Sequence, residues 1–564
     1  MRLGLFQRSR RLEGAPGPAA PAKPRWLRWV ALAAALYCLN FAVTFHNVWP
    51  TLWITTWNEL SVDVAGVLLL LTAYRSFVGR LSPRAIKLWA GLLLMMCIGR
   101  YAEVTAPALY GRRINLYWDA RYLPDVAAML TKVASPWLIA AGVLGLLALL
   151  AAVYALMHWS LGQVHDALEQ RRGRRLLGFL SGGLVAAYAI GYLPLPIDTL
   201  HYFSLPVSRT YLRQAEFIAD AYEQTRDPTA LPPAKSFAGY DLKRVAGADV
   251  FLIFIESYGA VVFDSPEVNA RVAADRQSFA RAIAATGRGV VSAFVTSPTF
   301  GGGSVLAHST LMTGAKIADD GTYKLLLTQK RDTLSKRFGE AGYRVVALMP
   351  GLKRAWPEGA FYDFAKVYGM RALSYAGPQF GWWRIPDEYT LAEFDAREHV
   401  ASSDRSPLFL FYPTISTHIP FHPTPPYQPN WTRVLSREPY DPTRVAASLA
   451  EKPDWSNLRS AYGDAVAYTY RYLAGYLRRH AGRDIVFVLL GDHQPASTVS
   501  GEGARWDVPV HVIASRADVL GSLRADGFVT GLTPTPKAIA PMQGLTGMLL
   551  RAFSSPRGAR LSAN

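Results

Sequence analysis

The sequence predicts a two-part architecture: an N-terminal bundle of five transmembrane helices, then a C-terminal α/β domain whose mostly parallel sheet is sandwiched by helices. Three observations carry this reading. Long apolar runs are confined to residues 29–195. Beyond them, β-branched and aromatic runs alternate with segments of helical periodicity. The 564 residues also exceed what one hydrophobic core organises.

The spans fall at 29–48, 53–74, 86–107, 137–158 and 176–195, each near the ~20 residues a bilayer core requires. The fourth, PWLIAAGVLGLLALLAAVYALMHW, is apolar almost throughout. The second carries Asn58, Glu59 and Asp63 in its first half, which places those three at the water interface. Basic residues set the orientation. The tail 1–28 is arginine-rich, the second loop holds Arg75, Arg80, Arg84 and Lys87, and the fourth holds QRRGRR. The first loop has no Lys or Arg. The tail is therefore expected in the cytoplasm and everything beyond residue 196 outside it. Nothing before Trp29 resembles a cleavage site, so the first span reads as an anchor. The third loop is basic (Arg112, Arg113, Arg121, Lys132) although external by this count. Its stretch LYWDARYLPDVAAML reads as an element lying on the outer membrane face.

Residues 197–245 form a connector, with the amphipathic RTYLRQAEFIADAYEQ followed by the Pro-containing DPTALPPAKSF. In the domain 246–564, strands are expected at 249–255, 289–295, 343–349, 407–413, 484–490 and 508–513. Helices are expected near 274–286, 304–313, 331–341 and 456–480. Near-continuous apolar strands separated by helices imply a sheet covered on both faces. The net charge of +18 suits anionic lipid. No basic helix interleaved with aromatics points to nucleic acid. The two cysteines, Cys38 and Cys97, lie in apolar runs. The soluble half therefore offers neither a disulfide nor a thiolate metal site.

Ligands in such sheets bind beyond the carboxyl ends of strands. Four strand ends stand out. DVFLIFI leads into Glu256, DIVFVLL into Asp492 and His493, the strand near 289–295 into GGGS with Ser304, and FLFYP into His418 and His422. Two carboxylates and an imidazole supply the ligands that zinc or manganese accepts. Ser304 opens a helix behind glycines, where backbone amides bind tetrahedral anions. A hydroxyl beside a divalent cation is activated to attack phosphorus. His418 then donates a proton to the leaving oxygen or holds a head group. Singly, each feature also reads as structure: a strand-end carboxylate caps a helix, GGGS is a flexible loop, a lone histidine packs. Together they point to a metal-assisted ester-cleaving site.

Five spans followed by IFIESYG, GGGSVLAHSTLMTG and LLGDHQP, in that order, resemble the alkaline-phosphatase/sulfatase superfamily. More narrowly they resemble the branch with lipoteichoic acid synthase and the phosphoglycerol and phosphoethanolamine transferases. The resemblance implies one divalent ion, manganese or zinc with magnesium as an option, on Glu256, Ser304, Asp492 and His493. It also implies that His418 contacts the transferred phosphate. The transferases usually carry threonine where this chain has Ser304. Sulfatases need Pro two residues after the nucleophile and Arg four after it; here Leu306 and His308 stand there, which disfavours sulfatase chemistry. The synthase pattern Trp-x-Arg with a following Tyr becomes Trp356, Glu358 and Tyr362. With Lys353, Arg354 and His422 these form the expected substrate-binding set.

The expected activity moves a phospholipid head group, phosphoglycerol or phosphoethanolamine, through a covalent Ser304 intermediate to an envelope glycan or lipid acceptor. The expected place is the bacterial inner membrane, with the catalytic domain periplasmic. The alternatives are a membrane-anchored phosphodiesterase, phosphatase or sulfatase-like hydrolase, and a non-enzymatic envelope scaffold with a degenerate site.

Overall fold

The computed structural model describes residues 25–193, 199–224, 231–381, 384–400, 402–403, 405–451, 454–455 and 457–556. The basic tail up to residue 24, the end of the fifth expected span and part of the Pro-containing linker lie outside them. The chain divides into two compact units. One comprises residues 1–45, 56–100 and 142–208, the other 46–55, 101–141 and 209–564.

In the first unit, among the described residues, three helices are long and apolar enough to cross a membrane: Arg25–Thr44, Pro83–Tyr110 and Pro136–Glu169. The last two run on into the second unit at one end. The second and fifth expected spans are helical too, as Val62–Phe77 and Arg171–Ile190. The first of these is only 16 residues long, because Ser61 caps it by accepting from the Val64 amide. Asn58 and Glu59 thus fall before the helix, in keeping with an interfacial position. Asp63 accepts from the Val207 and Ser208 amides and the Ser208 hydroxyl, at 2.6, 3.3 and 2.6 Å. It thereby caps the amphipathic helix Val207–Gln224. Leu32, Leu39, Leu68, Leu93, Leu161 and Leu177 meet in the unit's core.

The second unit is built on a nine-stranded sheet. Its strands are β1 Asp249–Ile255, β2 Gly289–Thr296, β3 Arg344–Met349, β4 Lys366–Gly369, β5 Leu408–Pro413, β6 Ile485–Gly491, β7 Asp507–Ala514, β8 Val529–Thr530 and β9 Ala538–Pro541. Their order is β8-β2-β7-β6-β1-β5-β3-β4, with β9 pairing β2 off this path. The expected mostly parallel sheet is in fact mixed. The half from β6 through β1, β5 and β3 to β4 is parallel. β7, however, runs antiparallel to both β6 and β2. Between β6 and β7 the chain makes a loop carrying only the four-residue helix Ser497–Ser500, then returns beside β6 in the opposite direction.

Alternation along β1 splits the core in two. Phe251, Ile253 and Ile255 face one layer; Val250, Leu252 and Phe254 face the other. Helices Pro266–Ala285 and Leu458–Arg479 cover the first face. Helices Ser304–Thr313 and Met542–Phe553 cover the second. The third loop is not wholly a membrane-surface element. Its short helix Leu116–Asp119 buries Trp118, whose ring lies under the Arg121 guanidinium at 4.0 Å and the Lys324 ammonium at 5.2 Å. Leu116 and Tyr117 of the same short helix are exposed, and the following helix, Leu123–Val133, also presents Leu123, Val126 and Leu130 to the outside.

Candidate active site

The parallel half of the sheet delivers its strand ends to one place. β1 ends at Ile255, and the chain turns at once because Ser257 takes a left-handed conformation, φ 54°. This leaves Glu256 half-buried at the strand tip, its amide held by the Thr414 hydroxyl beyond the neighbouring β5. Beyond β6, on the other side of β1, Asp492 is fully buried. Its Oδ1 accepts from the Ser257 and His493 amides, both at 2.8 Å, so the carboxylate cannot turn. Ser297 donates to the Asp492 carbonyl at 2.6 Å and ties the turn to the end of β2.

The nucleophile turn follows β2. Gly301 and Gly303 have φ of +66° and +82°, a region open to glycine at little cost. A Cβ on Gly301 would also sit 2.3 Å from the Tyr110 carbonyl oxygen. Ser304 is the first residue of its helix, and its Oγ donates to Glu256 Oε2 at 3.1 Å and lies 3.2 Å from His493 Nε2. His493 Nδ1 faces the Gln494 carbonyl oxygen at 2.8 Å. That ring nitrogen therefore carries the proton, and Nε2 turns its lone pair towards Ser304 and the carboxylates.

Glu256, Asp492 and His493 offer ligand atoms that all lie within 4.8 Å of one another. Asp492 Oδ2 is buried, has no hydrogen-bond partner and stands 3.6 Å from His493 Nε2. An orphaned anionic oxygen facing an imidazole lone pair and a hydroxyl is costly unless a cation belongs there. The donor set, two carboxylates with one nitrogen and one hydroxyl, fits a single zinc or manganese ion. Burial first, and Glu256 second, raise the Asp492 carboxyl to about 6. Burial disfavours the charged His493 imidazole, but Asp492 and Glu256 outweigh it and its pKa is raised.

His418 lies on the loop after β5, within electrostatic reach of His493, Asp492 and Lys353. Its Nδ1 faces the Ile419 carbonyl at 2.7 Å, and burial lowers its pKa, so the resting ring is neutral with the proton on Nδ1. A residue the sequence did not single out holds this loop. The fully buried Asp387 accepts from the Ile415 and Ser416 amides and the Tyr412 hydroxyl.

The remaining expected residues spread out. Trp356 stacks on Tyr362, with ring centroids 5.8 Å apart. Tyr362 is itself buried and shares a 2.7 Å hydrogen bond with the Ser309 hydroxyl, so it braces the nucleophile helix from within. Arg354 and Glu358 are exposed. His422 sits beyond His418 with Nδ1 3.5 Å from Glu451. A second overlooked residue, His308, lies one turn beyond Ser304 and 4.0 Å from Asp492.

The arrangement thus gathers a serine at a helix start, two strand-end carboxylates and an oriented imidazole. Residues 249–512, most of the C-terminal domain, match the family model "Sulfatase", and the chain is similar to that family over this stretch. No curated protein matches the chain significantly. Among solved structures, the chain is similar to the lipoteichoic acid synthase LtaP of Listeria monocytogenes, at 13% identity over 51% of this chain and 70% of that one, with a TM-score of 0.34. It is similar to the Streptococcus pyogenes phosphoglycerol transferase GacH in complex with sn-glycerol-1-phosphate, at 14% identity over 61% and 84%, TM-score 0.37. A third likeness is to the C-terminal periplasmic domain of EptC from Escherichia coli, at 14% identity over 52% and 86%, TM-score 0.32. These likenesses are distant, and a substrate assignment has to rest on the chain's own site.

Proposed function

We propose that this protein is a metal-dependent membrane phosphotransferase. It takes a phosphoglycerol or phosphoethanolamine head group from a phospholipid and passes it, through phospho-Ser304, to an envelope glycan or lipid. The observation that carries the reading is Ser304 Oγ, held 3.1 Å from Glu256 and 3.2 Å from His493 at the start of a helix. In this geometry the hydroxyl proton points to Glu256 Oε2, freeing Oγ to attack phosphorus while the bond to the diacylglycerol oxygen breaks. The helix N-terminus faces the incoming negative charge. When bound, the cation supplies charge neutralisation of the phosphoryl oxygens and a lowered pKa for the serine hydroxyl. In the first half the serine proton goes to Glu256 and the leaving diacylglycerol oxygen takes one from solvent. In the second, His418, neutral with its proton on Nδ1, takes the proton of the attacking acceptor hydroxyl on Nε2 while Glu256 returns its proton to Ser304.

Three helices long and apolar enough to cross a bilayer support a lipid donor, because anchoring raises the local concentration of head groups. Exposed Glu358, where the related synthase pattern has arginine, fits an ammonium. The phosphoethanolamine transferases that this chain resembles usually carry several disulfides in the soluble domain. This chain, with Cys38 and Cys97 alone, forms none there, which leans the other way, to phosphoglycerol. Supplying each phospholipid with a labelled head group, with and without envelope glycans, separates the readings. Label moving to glycan or lipid is expected. Label recovered only as free head group under every condition would make the protein a hydrolase, and no turnover with either lipid would favour the scaffold.

The five-span arrangement with a periplasmic catalytic domain is part of the same proposal. Reporter fusions at Gly173 and Gly239 are expected to read cytoplasm and periplasm respectively. Both on one side would overturn it.

A further inference from the structure

The helix that starts at Ser304 carries His308 four residues on, hence one turn up on the same face. Its ring is wedged between Phe254 of β1, with centroids 4.3 Å apart, and Phe411 of β5, at 5.5 Å. Its Nε2 is buried without a hydrogen-bond partner and lies 4.0 Å from Asp492 Oδ2, which is also buried without one. Buried polar atoms are paired in the great majority of cases, and two orphans facing each other call for a common reason. Asp492 cannot supply it by rotating, because its Oδ1 is pinned by two backbone amides.

We propose that His308 is a positioning residue of the metal centre: its Nε2–H donates to Asp492 Oδ2, the imidazole closing the 4.0 Å separation by a small shift when a cation fixes that oxygen. The inference rests on the metal reading of Glu256, Asp492 and His493. Outer hydrogen bonds of this kind fix the direction of a ligating carboxylate and tune its basicity. The aromatic walls keep the imidazole from swinging away, and its place on the nucleophile helix couples that helix to the ligand. His308 stands beside the cluster rather than in it, since only Glu256, Asp492 and His493 bring their ligand atoms together among the described residues. The competing role is plain packing, a third ring between two phenylalanines, which any aromatic side chain would fill.

The test is metal affinity of the full-length protein in detergent, measured by competition with a chromophoric chelator for Zn2+ and for Mn2+. His308→Phe keeps the ring packing and removes the donor; His308→Gln keeps a donor of similar reach. His308→Phe is expected to weaken binding about 10–100-fold, and His308→Gln to stay within a few-fold of wild type. Unchanged affinity in His308→Phe overturns the proposal. X-ray absorption of the zinc-loaded wild type separates a positioning His308 from a ligating one. One imidazole nitrogen in the first shell is expected, whereas two would make His308 a ligand and overturn its positioning role. A wild type that binds neither ion sinks the metal reading itself, a result distinct from a loaded wild type matched by His308→Phe.

Discussion

Replacing Ser304 with alanine is expected to abolish the covalent intermediate and to lower transfer about a thousand-fold or more, as loss of the nucleophile does in a serine protease. The readout is mass spectrometry after incubation with bacterial lipid: wild type gains a head-group phosphate mass at Ser304, and the variant gains none. Ser304→Thr is expected to retain part of the activity, because the hydroxyl stays at the helix start. The nearby hydroxyls are poor substitutes in this fold. Ser309 is engaged by Tyr362 and the Val305 carbonyl, and Thr310 pairs with Ile317. Thr299 is the one to watch, since its buried hydroxyl has no partner. Turnover that survives Ser304→Ala and disappears in Thr299→Ala would move the nucleophile there.

Changing Asp492 to asparagine is expected to remove metal and activity together. It takes away the anionic oxygen that burial has orphaned, and a direct ligand should matter more than the outer groups that cost about 10–100-fold. The same oxygen predicts a pH dependence. The Asp492 carboxyl, raised by burial and then by Glu256, titrates near about 6 in the metal-free protein. Below that pH a proton competes with the cation, so affinity falls; above it the carboxylate is free and affinity levels off. Chelator-treated Asp492→Asn and wild type should both be inactive, and only wild type should recover when zinc or manganese is returned. Full activity of wild type in chelator would refute metal dependence.

Much of the catalytic domain was legible because its strands are buried on both faces and read as short apolar runs. The expected 484–490 and 289–295 became Ile485–Gly491 and Gly289–Thr296. Glu256, Ser304, Asp492 and His493 met because each follows such a run, and the carboxyl ends of parallel strands open to one side. Strand direction was not legible. β7 is buried along its whole length like the parallel strands β1 and β6, so burial and pattern do not distinguish its antiparallel course. Tyr362 was placed with the substrate by analogy, yet the fold turns its hydroxyl inward to Ser309. Asp387 and Ser297 carried no local signal, since their partners lie more than twenty residues away, as the Asp387–Ser416 and Ser297–Asp492 pairs show. In the membrane half, the Ser61 cap shortened the second helix to a length that composition alone does not reveal.

The end of helix Pro83–Tyr110 bears on where the protein can be cut. The last carbonyls of a helix lack amide partners within it, and here Ser497 donates to that of Ala108 at 2.6 Å, with the Pro107 carbonyl, which also accepts from the Gly111 amide, at 3.1 Å. Gly301, three residues before the nucleophile, presses against the Tyr110 carbonyl next in line. A soluble fragment begun at the connector would strip both supports from the nucleophile turn while leaving every expected catalytic residue in place. Such a fragment should bind metal yet turn over poorly, and a screen run on it would mistake a missing brace for a weak enzyme. Co-expressing the 101–141 segment, or grafting it through a short linker, is the economical way to a faithful soluble catalyst.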